Sequence, residues 1–397
     1  MFDFLDRSWN RLSLGGGARL LALVVLAAAT AWIAHARGTD VAPDVGIGGA
    51  PPAPSAARIE VAFVLDTTGS MAGLIDGAKQ KIWSIANQLA GAQGSPGIRL
   101  GLIGYRDRGD SYVTAVHDLS DDVDALYAHL QGFSADGGGD GPEAVNQALH
   151  EALTRLSWSS RADVYRVIFL VGDAPPHLDY TNDVPYAESV RLARSRGIVV
   201  NTIQCGGDPE TARIWREIAQ LNQGHYAAIA QDGGMIAVSA PQDHELARLN
   251  EELAGTALAY GARAEREELD RKLARSLRAS PESAAARLSY LAKQGGALAS
   301  GRSDLVDAVA SGAVALDALP PALLPEPMQA MLPEERRRLV AEKAEERKQL
   351  QSRIAELAKE RDAYLAARAA KPDQADSFDG RVFGAIRSQA AEKGIRF

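Results

Sequence analysis

Three short segments of this 397-residue chain supply carboxylates and hydroxyls rather than a cluster of histidines or cysteines. The first reads Asp66-Thr67-Thr68-Gly69-Ser70-Met71. The second, over 136–143, reads DGGGDGPE and contains Asp136, Asp140 and Glu143. The third reads Gly172-Asp173-Ala174-Pro175-Pro176-His177. Hard oxygen donors of this kind suit Mg²⁺, Mn²⁺ or Ca²⁺ better than zinc. Gly69 permits a tight turn that can aim the Thr68 and Ser70 hydroxyls at one point. Each residue also has a plainer reading. Thr68 and Ser70 could cap a helix, Glu143 could sit favourably in a helix first turn, and Asp173 could be a turn residue before two prolines. Asp107, between Arg106 and Arg108, reads as a surface salt-bridge residue.

These segments fall where strands end. Residues 59–65 (IEVAFVL), 98–105 and 164–171 (VYRVIFLV) are short apolar runs suited to buried parallel strands. Further strands are expected at 112–116, 198–204 and 225–229. Helical spacing is expected over 74–90, 121–130, 143–156 (with Pro142 in the first turn), 186–196 and 209–221. Strands alternating with helices predict a doubly wound, mostly parallel α/β sheet covered on both faces. In such a sheet ligands bind at the carboxyl ends of the strands, which is where the three segments lie.

These residues together resemble the von Willebrand factor A domain. Its metal-ion-dependent adhesion site carries an Asp-x-Ser/Thr-x-Ser signature, matched by Asp66, Thr68 and Ser70. The segment Asp140-Gly141-Pro142-Glu143 is similar to the integrin β-subunit version, in which such a Glu coordinates the metal. Asp173 matches the later-strand Asp that holds a metal-bound water. The resemblance implies Thr68, Ser70 and Glu143 as direct ligands of Mg²⁺ (Mn²⁺ or Ca²⁺ as substitutes), with Asp66 and Asp173 acting through water. It also implies a possible second metal site at Asp107 and Asp140. The expected partner is a protein presenting Asp or Glu to the metal, and no catalysis is expected. Two features depart from the family. No Thr stands in the second loop where many A domains use one, so Glu143 must supply that oxygen. Ala72 and Gly73 follow Met71, so the acidic pair of a third, regulatory integrin site is absent.

Rival chemistries find less support. An apolar strand ending in Asp also resembles haloacid-dehalogenase-type phosphatases, but the second Asp that serves there as general acid is Thr68 here. The chain has neither a Gly-x-x-x-x-Gly-Lys-Ser/Thr loop nor a Gly-x-Ser-x-Gly elbow. The net charge of −8 argues against a nucleic-acid binder working through a basic surface. A single cysteine, Cys205, excludes an intrachain disulfide framework and any multi-thiolate zinc cluster.

The ends of the chain differ from its middle. Residues 20–34 (LLALVVLAAATAWIA) run fifteen residues without a charge, preceded by Arg7, Arg11 and Arg19. That length fits a signal-peptide core and falls short of a comfortable membrane span, so 1–37 reads as a signal peptide or a single anchor. Either one exports the remainder to the periplasm or cell envelope. Residues 38–57 are a Gly/Pro/Ala-rich linker, and the A-type domain is expected over 58–232. From 243 to 397 the pattern is all-helical, with five prolines between 320 and 333 and a charged stretch at 334–368 that could form a short coiled coil. Arg347 and Arg361 fall on that seam, which favours a helix packed on its own chain. The function expected is exported, divalent-cation-dependent protein binding for adhesion or scaffolding. The alternative is an adaptor subunit of a larger complex such as an AAA+ ATPase assembly, with a metal-dependent phosphatase more distant.

Overall fold

The computed structural model describes residues 59–94, 96–139, 141–234, 238–299, 303–369 and 377–397. The export segment and linker expected over 1–57, and Asp140, lie outside these residues. Among the described residues no helix is long and apolar enough to cross a membrane.

Strands β1 (Ile59–Asp66), β2 (Ile98–Tyr105), β3 (Thr114–Ser120), β4 (Tyr165–Gly172), β5 (Val199–Cys205) and β6 (Tyr226–Ile229) form one sheet in the order β3-β2-β1-β4-β5-β6. Every neighbouring pair is parallel except β2–β3. β1 and β4 are buried at every position because both their faces are covered, which is why, apart from Glu60, Arg166 and the terminal Asp66, their sequences read as apolar runs. Val61, Phe63 and Leu65 enter one core, while Ala62 and Val64 enter the other. The half-buried edge strand β3 starts and ends later than the 112–116 expected from sequence. Its alternation is weak, so pairing with β2 rather than its own pattern sets its limits.

The first core packs beneath α1 (Ala72–Ala90) and α2 (Val123–Gly132). The second packs beneath α3 (Val145–Thr154), α4 (Tyr186–Ser195) and α5 (Pro209–Leu221). Chain order runs from β1 to β2 on one side and to β4 on the other. The strand order therefore reverses between β1 and β4, and a crevice opens beyond their carboxyl ends.

The remaining chain is helical: α6 (Asp243–Ala254), α7 (Arg263–Ser276), α8 (Pro281–Lys293), α9 (Leu305–Ala310), the single turn α10 (Glu326–Gln329), α11 (Pro333–Ala369) and α12 (Phe378–Ala391). Prolines open α8 and α11, where a missing N–H is not needed. α11 packs on α6, α8 and α9 of its own chain. Its inward positions Val340, Arg347, Ile354 and Arg361 recur every seven residues and are all at most 5% exposed. The two seam arginines are neutralised in place. Arg347 meets Asp304 and donates to Asp307 at 2.6 Å and to the Thr256 hydroxyl at 3.0 Å, while Arg361 donates to Asp243 at 2.6 Å.

The last helix does not stay with the helical region. Phe378, Val382, Ile386 and Ala390 of α12 lie in the same core as Phe63 and Phe169, with the Phe63 and Phe378 rings 6.1 Å apart. Tyr165 on β4 donates its hydroxyl to Gln389 at 2.7 Å, and the Gln389 and Asn201 amides exchange hydrogen bonds at 2.9 and 3.0 Å. Tyr290 and Leu291 of α8 also enter this core, beside Trp83 on α1. Within the helical region expected from 243, α12 and part of α8 thus share the sheet's core, while α6, α7, α9, α10 and α11 pack into two cores of their own.

Candidate metal centre

β1 delivers Asp66 to its last position, fully buried, and the chain turns at once into a short 3-10 turn over Gly69–Met71 before α1. Neither that turn nor α1 has a side-chain cap at its start. Thr68 instead turns its hydroxyl onto Asp66 Oδ1 at 2.6 Å, and its backbone N–H donates to the same oxygen at 2.9 Å. The Ser70 hydroxyl lies 3.4 Å from that of Thr68. The capping reading of these hydroxyls is not what the structure shows. Asp66 Oδ2, with no exposed surface, has no hydrogen-bond partner.

Glu143 lies before α3 and not in its first turn. It forms an isolated parallel bridge with Pro176, its N–H donating to Pro175 O at 2.9 Å and its carbonyl accepting from His177 N at 3.1 Å. This pairing joins the glycine-rich loop to the β4 loop and aims the carboxyl inward. Glu143 is 3% exposed, and its Oε2 also lacks a partner. Gly138 explains the loop's composition. Its φ is +77°, and a Cβ there would come within 2.9 Å of Thr68 Cβ and 3.1 Å of Glu143 Oε1. Gly172, immediately before Asp173, likewise leaves room for its neighbours. A Cβ there would stand 2.4 Å from the Tyr105 hydroxyl and 3.0 Å from Asp66 Cβ.

Asp173 follows β4, and its Oδ2 accepts from Gln231 Nε2 at 2.6 Å; the same nitrogen lies 3.2 Å from Ser70 O. Thr68, Ser70, Glu143 and Asp173 line one open cleft of about 480 Å³, with Asp66 directly beneath Thr68. Asp208 and Glu210, at the start of α5, complete its wall. Burial pushes the Asp66 carboxyl up to about 7, against the hydrogen bonds from Thr68 that pull it down and with Asp173 adding repulsion. Glu143 is pushed up to about 9 by burial and then by the charges of Asp66, Asp107, Asp110 and Asp173. Acids crowded in this way without a countercharge, two of them with an orphaned buried oxygen, are the arrangement a cation relieves. Among the described residues no three His, Cys, Asp or Glu side chains are placed to hold a metal by themselves. A cation here would therefore depend on the Thr68 and Ser70 hydroxyls and on water, which suits Mg²⁺ more than a transition metal.

Asp107 does not pair with either neighbouring arginine, contrary to the surface reading. It is buried and accepts from the Tyr180 hydroxyl, 2.9 and 3.0 Å from its two oxygens, with His177 Nε2 at 3.4 Å. Arg106 is buried instead against Thr67 O and Ser134 O, and Arg108 pairs with Asp183. His177 is not a surface histidine. It is 7% exposed, stacks on Tyr180 at 4.0 Å and meets Asp179 at 2.8 Å. Sequence reasoning passed over Gln231, Asp208 and Glu210, and took Arg106 only as a surface neighbour of Asp107. Their only visible signal was position: Arg106, Asp208 and Gln231 each lie one to three residues beyond the end of a parallel strand.

Residues 60–241 match the family model described as von Willebrand factor A domain. Over 121 residues the chain is 30% identical to the ariadne-like RING finger protein R811 of Acanthamoeba polyphaga mimivirus. That match covers 30% of this chain and 11% of the viral protein's own length. Among solved structures it is similar to the conserved hypothetical protein BatB from Bacteroides thetaiotaomicron, at 19% identity and a TM-score of 0.34, over 43% of this chain and 90% of that one. It is also similar to the SpRpn10 VWA domain, at 14% identity and a TM-score of 0.35, over 44% and 89% of the two chains. The mussel byssus proximal thread matrix protein 1 gives 15% identity and a TM-score of 0.34, over 44% and 42%. Residues 60–241 are thus similar to a von Willebrand factor A domain.

Proposed function

We propose that this A domain binds a partner protein through a divalent cation, Mg²⁺ in the first instance, in an exported adhesion or scaffold protein. The observation that carries the reading is the pair of buried, unpartnered oxygens, Asp66 Oδ2 and Glu143 Oε2, under a cleft also lined by the Thr68 and Ser70 hydroxyls. Thr68, Ser70 and Glu143 would hold the ion, and Asp66 and Asp173 would orient its waters. Bound there, a Mg²⁺ ion offers an exchangeable coordination position to a partner's Asp or Glu carboxylate. Asp66 fixes the Thr68 hydroxyl through its Oδ1, Gln231 fixes Asp173, and the Glu143–Pro176 bridge fixes the third loop. The donors are thus held in place before the ion arrives, so little ordering remains to be done on binding. The export assignment rests on the apolar run at 20–34, and the possible second site on Asp107 and Asp140.

Isothermal titration of Mg²⁺ into the wild-type protein and into Asp66→Ala and Glu143→Ala variants tests the reading. We expect saturable binding by the wild type and a loss of at least about tenfold in affinity in each variant. Equal affinity in all three would sink it.

A further inference from the structure

The charge of the cleft goes further than the cation, toward the chemistry of the partner. Glu143, Asp173, Asp208 and Glu210 line it and Asp66 lies beneath it, while no lysine or arginine is among the described residues that line it. A divalent ion that drives Asp66 and Glu143 to ionise offsets two of these five charges, so the occupied cleft remains anionic. A carboxylate approaching it from an acidic or neutral surface meets net repulsion beyond the ion's immediate contact. Asp208 and Glu210 matter most here, because the proposed cation site has no use for them. They sit at the start of α5, where Thr211 donates to the Asp173 carbonyl at 3.2 Å and so fixes this helix end against the candidate centre. Their two charges exceed the roughly half charge of the helix start. Glu143, 3% exposed, has its Oε2 unpartnered in the same cleft, a buried polar atom that a ligand would satisfy.

We infer that the partner presents its coordinating carboxylate from a basic surface, with a lysine or arginine seated against Asp208 and Glu210. This rests on the cation-dependent reading above and adds the second half of the recognition. The carboxylate supplies the metal contact, and the neighbouring cation removes the repulsion and sets the direction of docking. Binding is consequently steered by charge and weakens as salt rises.

The test uses the full-length protein and a phage-displayed library of random twelve-residue peptides, bound in Mg²⁺ and released with EDTA. The expected result is that released sequences are enriched in Asp or Glu with Lys or Arg within about four residues. An Asp208→Asn/Glu210→Gln variant should retain the acidic enrichment and lose the basic one. Asn keeps the capping acceptor that Asp208 offers to Thr211 N, so the start of α5 remains formed. Selected peptides should lose roughly tenfold in affinity for the wild type between low and high salt, and markedly less for the variant. Enrichment of acidic residues without basic neighbours overturns this inference and leaves the cation-dependent reading standing. Recovery of no EDTA-released sequences overturns both.

Discussion

Asp66 takes no share of the protein surface, and one of its oxygens has no partner, so its charge is costly in the metal-free domain. Its carboxyl, raised from 3.8 to about 7, binds a proton in the folded state that the unfolded chain has already released. The metal-free protein therefore loses stability as pH rises from about 4 to about 7, and Glu143, raised from 4.5 to about 9, extends that loss further. At pH 8 the contribution of Asp66 alone amounts to roughly 4 kcal/mol. An Asp66→Asn variant should therefore melt higher than wild type in EDTA at pH 8, with the gap narrowing toward pH 5. Thermal melts across that range check it, and a variant no more stable than wild type at pH 8 contradicts it. Adding Mg²⁺ should raise the wild-type melting temperature and leave that of the variant in place. The sequence exposed this residue because an apolar strand ending in Asp-x-Thr-x-Ser is unusual enough to notice. It did not expose Gln231, whose hold on Asp173 depends on a loop from the far side of the sheet folding over the cleft.

At the level of single elements, α11 shows why a charged residue on an apolar seam need not break a helix–helix contact. Arg347 is 2% exposed, and the Asp304, Asp307 and Thr256 it contacts lie on the segments against which α11 packs. Truncation by Arg347→Ala leaves Asp304 buried without its partner and should lower stability by about 3–5 kcal/mol, measured by urea unfolding. Arg347→Met with Asp304→Asn, which removes both charges, should recover much of that loss. A double variant as unstable as Arg347→Ala would mean that the ion pair is not what the seam depends on. The seven-residue spacing was legible in the sequence. The acids that complete it were not, because Asp304 and Asp307 precede Arg347 by some forty residues and nothing local marks them as its partners. A similar limit applied to Glu143, which fits the first turn of a helix by type but is drawn out of α3 by its bridge to Pro176.

Across the whole molecule the decisive feature is the return of α12 to the sheet. Gln389 is buried and joins Asn201 on β5 and Tyr165 on β4, so two buried polar groups of the sheet depend on this helix. Gln389→Leu should cost about 1–3 kcal/mol by leaving Asn201 without its amide partner. Ending the chain at residue 376 should do more, exposing Phe63 and Phe169 and abolishing cooperative unfolding of the sheet domain by circular dichroism. A chain ended there that still melts cooperatively at the wild-type temperature would show α12 to be dispensable. The sequence by itself determined the class of the fold, since period-2 and period-3.6 apolar patterns follow from local backbone geometry. It also determined which oxygen-bearing segments sit at strand ends. Only the tertiary structure decided how those segments meet, that Asp107 faces Tyr180 and His177 rather than its neighbouring arginines, and that α12 closes the same core as β1. Those outcomes depend on contacts between residues far apart in the chain, and such contacts leave no periodic trace in a single sequence.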